Sequence, residues 1–372
     1  MIPKKSIDFL IEHAGPVIQY RLRKEILKNI TPDEKASFLA QIYQTPYFKL
    51  VESYAKPNGF IGNGVHGHSN WRGVKYHETP LQDGETAARL LCNYAVPKEH
   101  PLIANFIAAM RDDEVLHKEV TIIPAKSNEK GWQTRFNGIH QGGGLMTIIY
   151  TLQCLLGYGD DGYCQLFQDI SLSAFASIIN LRTLGEIIID DGKHRYIESE
   201  LAFPCMYHLE TLAHTKNWRN ERAFNLLSEA VNYMYDLAGD DDYSLITFKL
   251  KNAHGGYIGG LYNLMSILPF TGKPINRVAP RKLLTALAMC GVGRKADCVR
   301  VTAEYLEQTL TESPDGALRI SDEHGNIIKG KPTTYANAYG EVGYEDNLRK
   351  KTAYDCEMTF WAVQFLTLIG ED

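Results

Sequence analysis

The densest run of reactive side chains is His66-Gly67-His68, followed by Trp71-Arg72, His77-Glu78 and Asp83-Gly84-Glu85. Two neutral imidazoles with a carboxylate can hold a divalent metal, with His66 and His68 as the ligands. Equally, His66, His68 or His77 beside Asp83 or Glu85 makes a His–carboxylate pair able to move protons near neutral pH. Trp71 and Arg72 would then contact a substrate. A structural reading stands beside this one. Asp83 and Glu85 sit where a helix begins, and carboxylates there offset its positive end. A second pair, Asp355 and Glu357, opens the last apolar helix and suits metal binding (Asp355) or acid–base work (Glu357). Thr352-x-x-Asp355 also reads as a capping box, the role favoured for Asp355. His208 lies inside an apolar helix, where a hydrogen-bonded core histidine is the bland reading and a cavity-facing catalytic one the sharp reading. Two glycine runs, His140-Gln141-Gly142-Gly143-Gly144 and His254-Gly255-Gly256, place backbone N–H groups near helix starts. With Arg135, Trp132 and Tyr257 nearby they could hold an anionic or aromatic part of a substrate, although tight helix packing explains the glycines better.

These residues need a frame, and the sequence supplies one. Helix–turn–helix units recur without a repeated motif: 80–96 and 100–111, 145–156 and about 161–184, 204–215 and 221–237, 280–290 and 294–310. Residues 6–29 form a hairpin at the start and 354–369 a final single helix. The first helix of each unit is apolar nearly all round and should be buried; the second carries one charged face and should lie outside. Pro80, Pro204 and Pro280 are expected at the first position of inner helices, where the missing N–H costs nothing. Inner-then-outer alternation predicts an all-α fold, an α/α toroid built as a double ring, in a single domain over residues 1–372. The turns after inner helices are short, whereas the connections 57–79, 113–144, 185–203, 239–256 and 312–352 are long. All the long ones should share one face, and eight of the twelve histidines fall in them. The reading therefore places ligand chemistry at that face, with residues 325–343 as a mobile lid.

Composition excludes several classes. A net charge of −5 without a basic run argues against nucleic acid. No segment approaches the roughly 18 apolar residues of a membrane span. The seven scattered cysteines form no CxxC pair and read as buried, reduced thiols. Residues 1–13 carry no signal-peptide pattern, so a cytoplasmic location and a small-molecule substrate are expected. The oligomeric state and the cofactor stay open, a divalent ion being what the histidine-rich segment suits.

The unit pattern resembles the α/α toroids of the terpenoid cyclase and protein prenyltransferase superfamily, including bacterial squalene-cyclase-like members. Tyr354-Asp355-Cys356-Glu357-Met358-Thr359-Phe360-Trp361 is similar to the Asp-x-Cys-x-x-Phe-Trp segment that gives protein prenyltransferases two zinc ligands. Asp355 matches the aspartate, while Glu357 stands where that family has cysteine. The Asp-x-Asp-Asp acid motif and the repeated Gln…Trp motif of the cyclases are missing. The resemblance implies isoprenoid-type chemistry, with Trp361 on the substrate. A carbohydrate-active hydrolase or lyase on the same scaffold, and a non-catalytic scaffold protein, stay open beside it.

Overall fold

The computed structural model describes residues 2–66, 81, 83–119, 129, 132–193, 195–198, 201–238, 247–250, 257–260, 269–272, 280–320, 343–345 and 350–370; at 235, 238, 247–250, 257–260 and 280 it describes the backbone alone. The chain is predominantly helical. Helices α1 (Lys4–His13) and α2 (Pro16–Arg21) open it, and a π-helical turn at Leu22–Ile26 extends α2. Then come α3 (Pro32–Ile42), α4 (Pro46–Ser53), α5 (Gly84–Asn93), α6 (Pro101–Arg111) and α7 (Asp113–Glu119). The units expected further on appear as α8 (Gly144–Leu155) with α9 (Gln165–Ile179), α10 (Met206–Ala213) with α11 (Glu221–Ala238), and α12 (Pro280–Met289) with α13 (Asp297–Glu312). Helix α14 (Ala353–Leu368) ends the described fold.

Local chemistry explains most boundaries. Thr31 Oγ1 accepts the Glu34 N–H while a Glu34 carboxylate oxygen accepts the Thr31 N–H, and Pro32 fills the first helical position of α3. Thr45 Oγ1 and His100 Nδ1 cap α4 and α6 by accepting the Phe48 and Leu102 N–H groups, each cap being followed by proline. Two expected starts are corrected. Helix α5 begins at Gly84 and not at residue 80, because Asp83 takes the N-cap and its Oδ1 accepts the Thr86 N–H at 2.8 Å. Helix α10 begins at Met206, two residues after Pro204. Pro280 does open α12.

The apolar-all-round helices are the buried ones. Ten consecutive residues of α8, Met146 to Leu155, are buried, as are Cys356 to Leu366 in α14. Each fully buried Phe, Leu or Val there contributes about 1.5–3 kcal/mol, so α14 alone carries a large share of the core; Phe360→Ala would cost roughly 3–5 kcal/mol. Successive inner helices are neighbours: α5 packs on α8, α8 on α10, α10 on α12, α12 on α14, and α14 on α2 and its π-turn. Helix α9 covers α10, and α13 covers α12 and α14.

Two of the long connections carry strands that the sequence reading did not foresee. Strands β1 (Ile188–Asp190), β2 (Arg195–Glu198), β3 (Thr247–Leu250) and β4 (Tyr257–Gly260) form one sheet in the order β1-β2-β3-β4. The β2–β3 pair is parallel and the outer two pairs are antiparallel. No described helix is long and apolar enough to cross a membrane.

Candidate functional site

Among these packed helices lies a cavity of about 490 Å³. All six inner segments contribute to its wall: Arg21 from α2, Glu25 and Lys28 from the π-turn and just beyond, Cys92 and Asn93 from α5, and Leu155 from α8. Glu210 and His214 come from α10, Arg281, Lys282 and Met289 from α12, and Glu357, Trp361 and Leu368 from α14. On α2, α5, α8 and α10 the lining residues fall in the C-terminal half, toward the short turns. Arg281, Lys282 and Glu357, in contrast, lie in the N-terminal halves of α12 and α14, and Tyr344 lies in the long connection 312–352.

One wall is a chain of buried charges. Arg89 of α5 lies between two carboxylates. Its Nε and Nη2 donate to Glu85 Oε1 at 3.0 and 2.8 Å, and its Nη1 and Nη2 donate to Glu210 Oε1 and Oε2 at 2.6 and 2.8 Å. Lys282 Nζ forms an ion pair with Glu210 Oε1 at 3.0 Å, outside good hydrogen-bond geometry. At the other end His66 Nδ1 lies 2.6 Å from Glu85 Oε2, which also accepts the Tyr207 hydroxyl at 3.3 Å. The order His66–Glu85–Arg89–Glu210–Lys282 alternates in sign and runs from the end of the described segment before residue 67 into the cavity.

The titration behaviour follows from these contacts. Burial opposes ionisation of Glu210, but the charges of Arg89 and Lys282, with the hydrogen bonds from Arg89, outweigh it and hold the carboxyl at about 2. Glu85 is held below the ordinary range as well; burial opposes this, and Arg89 and His66 win. Burial works against the His66 imidazolium, yet the bond to Glu85 and its charge leave His66 above its usual value. Lys282 is pulled down to about 8 by burial and by the nearby Arg89, with Glu210 opposing. Burial also lowers Arg281, whose Nη1 contacts Met358 Sδ at 2.8 Å.

The residues picked from sequence divide into three groups. Glu357 and Trp361 line the cavity, while Glu85 stands behind the wall on Arg89 and His66 joins through Glu85. Glu357 Oε1 accepts the Tyr344 and Glu345 N–H groups at 3.0 and 3.2 Å. Trp361 Nε1 donates to Thr285 Oγ1 at 3.0 Å, and its ring meets Phe270 edge to face.

A second group has structural duties. Asp83 is the cap of α5. His208 Nδ1 accepts the Cys205 N–H at 3.3 Å and Nε2 lies 3.0 Å from Ile139 O, so both nitrogens serve the backbone; burial takes it down to about 4. The catalytic candidacy of His208 therefore gives way to the core-histidine reading. Asp355 makes no cap: Thr352 has no capping bond, and Asp355 Oδ2 instead accepts Arg319 Nε at 2.9 Å. Arg135 lies over the Trp132 ring at 4.2 Å and donates to Trp132 O, and Trp132 faces His117; none of the three lines the cavity. His140 is exposed, and its carbonyl accepts the Phe203 N–H. Gly142 has φ +82°, and a Cβ there would overlap Cys205 Sγ, so this glycine run is built for close packing.

The third group, His68, Trp71, Arg72, His77 and His254, lies outside the described residues, as does nearly all of the expected lid 325–343. Tyr257 is placed in β4 by its backbone alone. Among the described residues no three His, Cys, Asp or Glu side chains are grouped to hold a metal ion; His68 of the expected ligand set lies outside them.

Arg89, Arg281, Lys282, Arg21 and His214 were not picked from sequence. The available signal was a charged residue inside an otherwise apolar helix, as in Ala87-Ala88-Arg89-Leu90-Leu91. Neither a scan of known protein-family models nor comparisons with curated proteins and with solved structures finds a match for this chain.

Proposed function

We propose that this chain is an α/α toroid enzyme of the kind found among terpenoid cyclases and protein prenyltransferases, whose axial cavity takes an amphipathic organic anion. An allylic isoprenoid diphosphate is the substrate of that description to which the resemblance points. The succession of inner helices around one cavity supports the toroid. The observation that carries the substrate class is the lining itself: five cationic side chains (Arg21, Lys28, Arg89, Arg281, Lys282) face three carboxylates (Glu25, Glu210, Glu357), a surplus of two positive charges. Leu155, Met289, Trp361 and Leu368 supply apolar wall beside them.

Fixed cations in a buried site stabilise charge that develops on a leaving diphosphate more than they stabilise the ground state. The Trp361 ring can face a positive carbon through its π-cloud. Arg281 and Lys282 are adjacent on α12 and form the anion grip in this reading. The carbohydrate-active alternative needs a carboxylic acid held above its ordinary range, and Glu210 is pulled the other way.

The test is incubation of the purified protein with geranyl, farnesyl and geranylgeranyl diphosphate, following binding by calorimetry and turnover by pyrophosphate release. Arg281→Met and Lys282→Met should each weaken binding by roughly 10–100-fold, the worth of a charge-assisted bond. Failure of all three diphosphates to bind, or equal binding to the double variant, sinks the proposal. Binding without turnover makes the chain a carrier.

A further inference from the structure

We propose that His214 is a ligand-contacting residue of the cavity, and that an anion entering there is taken up together with a proton on this imidazole. The inference rests on the anion reading above and adds the proton to it.

His214 is the C-cap of α10, at the point where the inner helix turns outward, and its ring stands on the cavity wall. Its backbone N–H closes the helix on Glu210 O at 3.1 Å, but among the described residues the ring neither donates nor accepts a hydrogen bond. His208, on the same helix, has both nitrogens bonded. The half-buried ring borders the cavity, which is where its nitrogens are open to a partner. A bound molecule would supply the missing partner.

The charges around the ring set its protonation. Glu210, one turn earlier on α10, favours the imidazolium. Against it stand Arg89 on α5, Arg21 on α2 and Arg219 in the turn that follows. Lys282 and Arg281 of α12, Lys28 and Glu25 beyond α2, and Glu357 of α14 complete the charged cavity wall. Burial first, and then the arginines, take His214 down to about 4, so it enters the free site neutral. An oxyanion in the cavity offsets the arginine field and gives the ring an acceptor, and both changes favour the imidazolium. Proton affinity is therefore low in the free state and higher in the bound state. By linkage, anion affinity rises as pH falls through the bound-state value, by at most about tenfold per pH unit, and levels off below the free-state value.

Sulfate is the probe, because it stays dianionic from pH 4 to 8 and any proton taken up goes to the protein. Histidine ring signals are followed by NMR over that range in chloride and in sulfate at equal ionic strength. The His214 signal is identified by its loss in His214→Gln, or by triple-resonance assignment should that variant not fold. In chloride it should stay neutral to below pH 5. Sulfate should move its titration up by a unit or more, and Lys282→Met with Arg281→Met should abolish the movement. Titration of His214 in the ordinary histidine range in chloride overturns the proposal. So does sulfate that shifts the Trp361 indole signal while leaving His214 unmoved, an outcome that spares the anion reading. If sulfate moves neither signal, the anion reading fails and the proton coupling with it.

Discussion

Replacing Arg89 by methionine tests whether the buried charge chain is a structural unit. The substitution keeps volume and helix propensity but removes four hydrogen bonds of 2.6–3.0 Å to Glu85 and Glu210. It leaves two buried carboxylates, each with a single cationic partner: His66 for Glu85 and Lys282 for Glu210. Removing one member of a buried ion pair costs about 3–5 kcal/mol, because the remaining charge stays desolvated. With an unfolding entropy of about 2.1 cal/mol/K per residue, a loss of that size lowers the melting temperature of this chain by roughly 4–6 °C. The sign of the pH dependence follows from Glu210, whose folded value of about 2 lies below the unfolded one near 4.5. Its contribution is complete above the unfolded value and disappears as pH falls through the folded one. The gap between wild type and Arg89→Met should therefore be full at pH 7 and narrower at pH 3. Denaturant melts at both pH values, with Arg89→Lys as the charge-retaining control, measure it. A cost below about 1 kcal/mol at pH 7, or a gap that does not change on acidification, refutes the reasoning.

Four further outcomes are expected. Gly142→Ala forces a side chain into φ +82° and against Cys205, and should cost roughly 2–4 kcal/mol in thermal melts. Glu357→Gln keeps an acceptor for the Tyr344 and Glu345 N–H groups but removes the carboxylate that favours charged Arg281, and should destabilise less than Glu357→Ala, which should lose about 1–3 kcal/mol. Asp355→Asn should lose under about 1 kcal/mol, because Asp315 still holds Arg319 through two bonds. His208→Ala should destabilise by about 1–3 kcal/mol with ligand affinity unchanged, since its nitrogens serve only the backbone of residues 139 and 205.

What the sequence revealed depended on how local the cause was. Apolar-all-round helices such as α8 and α14 declared their burial directly, and the helices expected at 221–237 and 294–310 appear at 221–238 and 297–312. Helices α3 and α4 went unread although Thr31-Pro32 and Thr45-Pro46 are plain start signals; their mixed faces gave little periodicity. The sheet was beyond a local reading. Its central parallel pair joins residues 196–198 to 247–249, a contact set by tertiary placement and not by any neighbouring residue.

The site was legible at one end only, for a reason that concerns where charge is informative. Histidines in loops are abundant because loops are wet, so their density says little about a cavity. A cation inside an apolar helix says much more, since burying it unpaired costs several kcal/mol and the fold must provide a partner or a ligand. Arg89 is four residues after Glu85, a spacing that puts both on one helix face and made their pairing readable. That Glu210 on α10 completes the fork, and that Lys282 on α12 shares it, required knowing which inner helices are neighbours. A cavity whose wall is drawn from scattered positions on six helical segments leaves no motif in sequence. It leaves isolated polar residues at helical spacing, and these become a site only when the packing of neighbouring helices brings them together.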